Sequence, residues 1–346
     1  MSTTPVAALA PLMLDPSASA PSDGRSPLVA GVDLGATKIA VLIVDGEDRV
    51  VGEARRSVPD EGSAEALIAA VTRTVQQALE AIPHGTERLA AVGIGAPGRI
   101  DPIRGTIADA VNLGVRELEL GPAVGARLGV PWAMENDVRA AALGIAQVHP
   151  DVRDIAYVNV GTGVGAGVVL DGRLHRGGRG IAGEVGHIVV ADGPRCRCGQ
   201  DGCVEAVVAG PAIVAQARAA GADGIDSASD VFLAAAAGDP TATPIVDRAG
   251  RILAGLAHTL VLAYDLERVV FGGGVTAAGD AFLAPILREL ERRREASTLV
   301  REVFAPGSVR AVDPGHDAGC RGAIAVARRW LAGTPTTPAR KGGDAA

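Results

Sequence analysis

Two stretches of the chain share one pattern of apolar and polar positions: an apolar run, a turn of glycine and threonine, a second apolar run, and a closing Asp-Gly. They read VDLGATKIAVLIVDG over 32–46 and VNVGTGVGAGVVLDG over 158–172, and they align without a gap at an offset of 126. β-Rich runs joined by a glycine-containing turn are the pattern of a hairpin. Asp33 falls opposite Asn159, Gly35 opposite Gly161, and Asp45 opposite Asp171. A duplication is the simplest origin of such a repeat, so the spacing predicts two similar domains, each opening on its own hairpin.

Between the hairpins the apolar period lengthens to about 3.6 residues. In SAEALIAAVTRTVQQALEAI, Leu67, Val71, Val75, Ala78 and Ile82 share one helical face, with Ser63 as the cap and Pro83 ending the run. A strand, AAVGIGAPG, follows, then a connecting loop, then PWAMENDVRAAALGIAQ, where a short strand gives way to a helix at Asn136 and Asp137. After the second hairpin come a cysteine loop and several helices, one through AGRILAGLAHTLVLAYDL. A buried strand, RVVFGGGV, and a last helix, GCRGAIAVARRWLA, complete an α/β pattern.

Composition narrows the partners. The 346 residues suit about two domains. With 40 acidic against 33 basic residues the net charge is −7, which does not favour nucleic acid or an anionic membrane surface. Aromatic residues are 2% of the chain, so few faces exist for base stacking and a polar ligand must be held by hydrogen bonds. Residues 1–27 carry Pro5, Pro11, Pro16, Pro21 and Pro27, with no Lys or Arg before Arg25. Pro11 interrupts the apolar stretch that a signal peptide needs, so this segment reads as a disordered tail, as does GTPTTPARKGGDAA. The longest apolar run is broken by Asp33, Gly35 and Lys38 and is too polar to span a bilayer. A soluble, cytoplasmic protein is expected.

Three of the four cysteines fall within CRCGQDGC, residues 196–203. So local a cluster is not a disulfide framework. Cys196, Cys198 and Cys203 are one ligand short of the four that structural zinc takes, and the nearest upstream histidine is His187, in GEVGHIVV. The competing reading is a redox pair beside an ordinary core histidine; Gly199 and Gly202, which supply tight turns, favour a zinc knuckle. The turns at Gly35, Thr37 and Lys38 and at Gly161, Thr162 and Gly163 aim backbone N–H groups at one point, as phosphate sites do. A glycine-rich hairpin is also often only a hairpin, and no Gly-Lys-Ser/Thr follows here. FGGGV, with Gly273 and Gly274, suits a nucleotide base or ribose, or simply a strand-to-helix turn. END likewise serves as a catalytic carboxylate or as a helix cap, since Asn and Asp are preferred caps. Glu184 and Glu205 flank the cysteine loop, where either carboxylate serves a ligand or simply water.

In their order and spacing Asp33-x-Gly35-x-Thr37, GAPG, END, GTGVGAG, GEVGH, CRCGQDGCVE and FGGGV resemble the ROK family (repressors, open reading frames, kinases) of sugar kinases, over about residues 29–331. The resemblance implies the actin/hexokinase-like fold, two ribonuclease-H-like domains around a central cleft. The boundaries expected are an N-terminal domain 29–137, a C-terminal domain 138–318 with its knuckle at 187–205, a final helix 319–331 packing back on the first domain, and tails at 1–28 and 332–346. It further implies ATP-dependent phosphorylation of a hexose such as glucose, with an N-acetylhexosamine or a cyclitol as alternative acceptors. Asp137 matches the catalytic base; Asn112, Asn136, Glu184, His187 and Glu205 match sugar ligands, with His187 also on Zn²⁺. Asp33 would help to hold Mg²⁺, while Gly35, Thr37, Lys38, Gly161, Thr162, Gly163, Gly273 and Gly274 would receive ATP. A sugar-responsive transcriptional regulator is the rival of another class, but the residues before the first hairpin cannot build its DNA-binding helices. A homo-oligomer, dimer or tetramer, is expected. Departures from the family pattern include Arg139 and Ile145, and Val207 and Ala209 where the family's glucokinases carry Tyr and Ser. The last two predict a less crowded wall beside Glu205, open to a ring other than glucose.

Overall fold

The computed structural model describes residues 26–59, 63–110, 113–190, 193–313 and 315–333. Within the first sheet β1 (Leu28–Leu34) is central. On one side lie β2 (Lys38–Val44) and β3 (Val50–Ser57), antiparallel, and on the other β4 (Leu89–Ala96) and β8 (Trp132–Asn136), parallel. The second sheet repeats this order and these directions around β9 (Ile155–Val160): β10 (Val164–Leu170) and β11 (Arg173–His175) on the antiparallel side, β12 (Arg268–Gly272) and β13 (Val309–Ala311) on the parallel side. The sequence repeat is thus a repeat of whole sheets.

The two hairpins differ in register. Leu34 pairs with Ile39 across residues 35–38, whereas Val160 pairs with Val164 across 161–163, so the second turn is one residue shorter. The gap-free alignment therefore holds along β1 and β9 but slips by one residue along β2 and β10: Asp33 faces Ala40, while Asn159 faces Gly165.

Each sheet has its own apolar core. Helix Ala64–Leu79 buries Leu67, Val71, Val75 and Ala78 against the first sheet, and its Ser63 cap accepts a hydrogen bond from Ala66 N at 3.1 Å. It stops a turn before Pro83, whose missing N–H and ring disfavour helix in the residues just ahead, and Ile82 packs on the core from beyond the helix end. Helices Ala242–Tyr264 and Asp280–Ala296 cover the second sheet through residues such as Leu253, Phe282 and Ile286.

Two further helices lie between the sheets. Asp137–Gln147 follows β8 but rests on β9 and β10, and Ala318–Leu331 comes after β13 but rests on β1 and β4. The approach is too close for side chains: a methyl group on Gly93 would sit 1.9 Å from the Ala323 carbonyl oxygen. The helices meet each other reciprocally. A methyl group on Gly144 would lie 2.3 Å from Ala318 O, and one on Gly322 1.7 Å from Ala140 O.

Residues 99–130, expected to be a connecting loop, instead carry an antiparallel sheet of β5 (Arg99–Asp101), β6 (Thr106–Ala110) and β7 (Val115–Leu118), then helix Leu120–Leu128. Strands this short show little alternation in sequence; Ile107 and Leu118 fix them by burial in the first core. Among the described residues no helix is long and apolar enough to cross a membrane.

Candidate active site

The cleft between the sheets holds a cavity of about 620 Å³. Its floor is made where β1 ends and the two central helices begin. Asp33, on β1, stands against the first turn of helix Ala318–Leu331, where a methyl group on Gly319 would lie 2.4 Å from the Asp33 Cγ. Asp137 is the first residue of its helix and Asn136 the cap: Asn136 Oδ1 accepts from Arg139 N at 3.2 Å, and Nδ2 donates to Asp137 Oδ1 at 3.0 Å. Strand-then-cap is what END encodes, and it sets the carboxylate at the positive end of the helix dipole.

Both floor carboxyls are hard to ionise although they face the open cavity. Burial pushes Asp33 up to about 7, with Asp137 and Asp317 adding repulsion and Lys38 opposing it. Burial also pushes Asp137 up to about 6; backbone N–H groups of Val138 and Asp137 and the Arg139 charge pull the other way, and Glu184 adds repulsion. In both cases desolvation outweighs the favourable partners.

Gly35 and Ala36 of the first hairpin turn line one side of the cavity, and Thr162 and Gly163 of the second line another. Glu205 Oε2 accepts from Val164 N at 2.9 Å, which ties that carboxylate to the second turn. Glu184 and His187 approach from the segment after β11, which Gly183 brings close: its φ is 98°, and a methyl group there would meet Ala166 O at 1.8 Å. The structure thus brings Asp33, Gly35, Asn136, Asp137, Thr162, Gly163, Glu184, His187 and Glu205 to one cavity.

The other expected residues lie around it. Thr37 and Lys38 are exposed and do not line the cavity. Gly161 turns its carbonyl to Gly210 N at 2.8 Å. Gly273 and Gly274 sit beside the second hairpin, a methyl group on Gly273 falling 2.7 Å from Asn159 Oδ1. Asn112 is outside the described residues. Val207 and Ala209 overturn an expectation: both are buried in the second core and neither reaches the cavity, so they are not its wall. The sequence shows their distance from Glu205 along the chain but not that their side chains turn inward.

His187, Cys196, Cys198 and Cys203 gather with their ligand atoms within 4.8 Å of one another. Cys198 Sγ lies 3.6 Å from Cys203 Sγ, and His187 Nδ1 3.6 Å from Cys196 Sγ. Tetrahedral zinc with bonds of about 2.3 Å to sulfur puts such atoms roughly 3.8 Å apart, so the donor set fits. The ring's other nitrogen, Nε2, is 4.0 Å from Glu184 Oε2, so one imidazole faces both the thiols and the cavity.

Tyr157 and Asn159 also line the cavity, the phenol donating to Asn159 Oδ1 at 3.3 Å, and burial followed by the charges of Asp33 and Asp137 pushes that phenol up. Sequence reasoning did not assign them, although Asn159 stands opposite Asp33 in the repeat. Gly319 and Arg139 were missed too, since their places depend on contacts between remote segments.

Two sheets of one topology, with a hairpin turn from each and two helix N-termini converging on one cleft, make this an actin/hexokinase-like α/β protein, the fold of its ROK hexokinase and glucokinase neighbours. The chain belongs to the ROK family, whose sequence model matches residues 29–330. It is 34% identical over 323 residues to a glucokinase of Streptomyces coelicolor, covering 87% of this chain and 98% of the relative. It is 31% identical over 266 residues to an N-acetylmannosamine kinase of Vibrio cholerae, covering 76% and 88%. The crystal structure of a ROK glucokinase from Streptomyces griseus in complex with glucose and AMPPNP superposes with a TM-score of 0.74 at 33% identity, covering 87% of this chain and 99% of that one.

Proposed function

We propose that this ROK-family sugar kinase transfers the γ-phosphoryl group of ATP to a hexose hydroxyl, with the 6-hydroxyl of glucose as the default acceptor. The observation that carries the reading is Asp137, a carboxylate held near pH 6 at the head of a helix on the cavity floor. A base tuned this close to neutrality suits removal of a hydroxyl proton. The sugar oxygen attacks the γ-phosphorus as its O–H proton passes to Asp137; the bond from phosphorus to the β,γ-bridging oxygen breaks, and ADP leaves. Positioning and charge stabilisation supply most of the acceleration.

Asn136, Glu184, His187 and Glu205 would hold sugar hydroxyls, and Asn112 is a further candidate. The turns at 35–38 and 161–163, with Gly273 and Gly274, would receive ATP. Asp33 would hold Mg²⁺, which neutralises phosphate charge; the repulsion that Asp137 and Asp317 exert on Asp33 is what a cation there would relieve. The thiols with His187 Nδ1 would hold structural Zn²⁺, leaving Nε2 for the sugar. Glucokinase relatives support glucose, and the N-acetylmannosamine kinase relative supports an N-acetylhexosamine as the second reading. A coupled assay of ADP release over glucose, mannose, N-acetylmannosamine and a cyclitol tests this: sugar-dependent release greatest with glucose is expected. Release with none of them would overturn the kinase reading, and release with N-acetylmannosamine alone would replace the acceptor.

A further inference from the structure

Glu135, at the end of β8, is 1% exposed and carries a charge that a buried site tolerates only when it is paired. Its two oxygens are shared out. Oε1 accepts from Arg139 Nε at 2.8 Å and from Asn136 N at 2.9 Å, and Oε2 accepts from Arg176 Nε at 2.6 Å. Arg139 then reaches onward, Nη1 donating to Gly180 O at 2.6 Å. Its own N–H meets Asn136 Oδ1. Glu135 and Arg139 belong to the strand and helix that carry Asn136 and Asp137, whereas Arg176 and Gly180 belong to the segment that runs from β11 to Glu184 and His187. The cluster therefore joins the two sides of the cavity directly behind the groups assigned to the sugar, and Arg139 and Gly180 themselves line it.

We infer that Glu135, Arg139 and Arg176 form a latch that fixes the segment 180–184 against Asn136 and Asp137, making the two arginines positioning residues for acceptor binding. This rests on the sugar-kinase reading. None of these latch hydrogen bonds runs to the turns assigned to ATP, so its effect is expected on the acceptor rather than on the nucleotide. The arginines are not equivalent. Arg139 reaches two acceptors, a carboxylate and a carbonyl, from two separate nitrogens of a planar guanidinium, whereas a lysine offers all its donors from one nitrogen. Arg176 makes one ion pair to Glu135, which lysine reproduces.

The test compares Arg139→Lys, Arg176→Lys and Arg176→Met with the intact protein in steady-state kinetics, varying acceptor and ATP separately. Arg139→Lys and Arg176→Met should each raise the acceptor KM about tenfold, with KM for ATP within about twofold; Arg176→Lys should stay near the parent. Should Arg176→Met fail to fold, the two lysine variants keep every charge, and the rise in melting temperature caused by the acceptor sugar alone reads binding without turnover. Lysine at 139 should lose most of that rise and lysine at 176 keep it. Equal increases in both KM values, or a lowered melting temperature with unchanged acceptor KM, would reduce the cluster to a structural ion pair and overturn the proposal. An intact protein that releases no ADP with any sugar would defeat the kinase reading instead, which the parent control reveals before any variant is compared.

Discussion

Replacing Asp33 by Asn should inactivate the protein and stabilise it at the same time. Asn keeps the shape of the side chain against Gly319 but removes a charge that the folded state resists. An Asp pushed from 3.8 up to about 7 binds its proton more tightly folded than unfolded. Its contribution to stability is therefore complete below about pH 4 and is lost as pH rises through 7. At about 1.4 kcal/mol per pH unit the loss has a ceiling of ~4 kcal/mol, and water in the open cavity should reduce it to ~2 kcal/mol. Thermal unfolding in magnesium-free buffer at pH 5 and pH 8 measures it: Asp33→Asn should melt a few degrees above the parent at pH 8, with a smaller gain at pH 5. A variant less stable than the parent at pH 8, or a gain independent of pH, would refute the reasoning that the floor carboxylate is ionised against a desolvation cost.

Asp137→Asn keeps a helix-compatible, isosteric side chain, so the acceptor should still raise the melting temperature while kcat falls by roughly 10²–10⁴-fold; near-normal turnover would remove Asp137 as the base. In the parent at saturating magnesium, kcat/KM should drop about tenfold from pH 7 to pH 5 because Asp137 titrates near 6, and a flat profile over that window would contradict its assignment. Metal analysis should find about one zinc per chain, and Cys203→Ser should lower both zinc content and melting temperature; zinc-free protein of unchanged stability and activity would leave the cluster as free thiols.

How much of this was legible from the sequence depends on how far apart in the chain the deciding residues lie. The hairpins, the helix 64–79 and the strand-to-helix step at Asn136 are local patterns, and their periodicity and capping residues declared them. The knuckle was legible because three of its four ligands fall within eight consecutive positions, 196–203. What could not be read depends on distant pairings. The one-residue difference between the turns shows only in the strand register, the latch joins residues 135 and 139 to 176 and 180, and the inward turn of Val207 and Ala209 is decided by the core they fill.

The exchange of the two central helices makes the halves mutually dependent. Each half ends on a helix that covers the sheet of the other, and the pair cross by equivalent contacts, Gly144 on Ala318 and Gly322 on Ala140. This is the geometry of a symmetric, domain-swapped dimer whose two subunits have been fused into one polypeptide. A ribosome that has completed only the first half has made a sheet with β1 and β4 still bare on the face that awaits helix Ala318–Leu331. The earlier half must wait, apolar side open, until residues 318–331 emerge, so that helix acts as the closing element of folding and its loss by truncation would leave both halves unfinished.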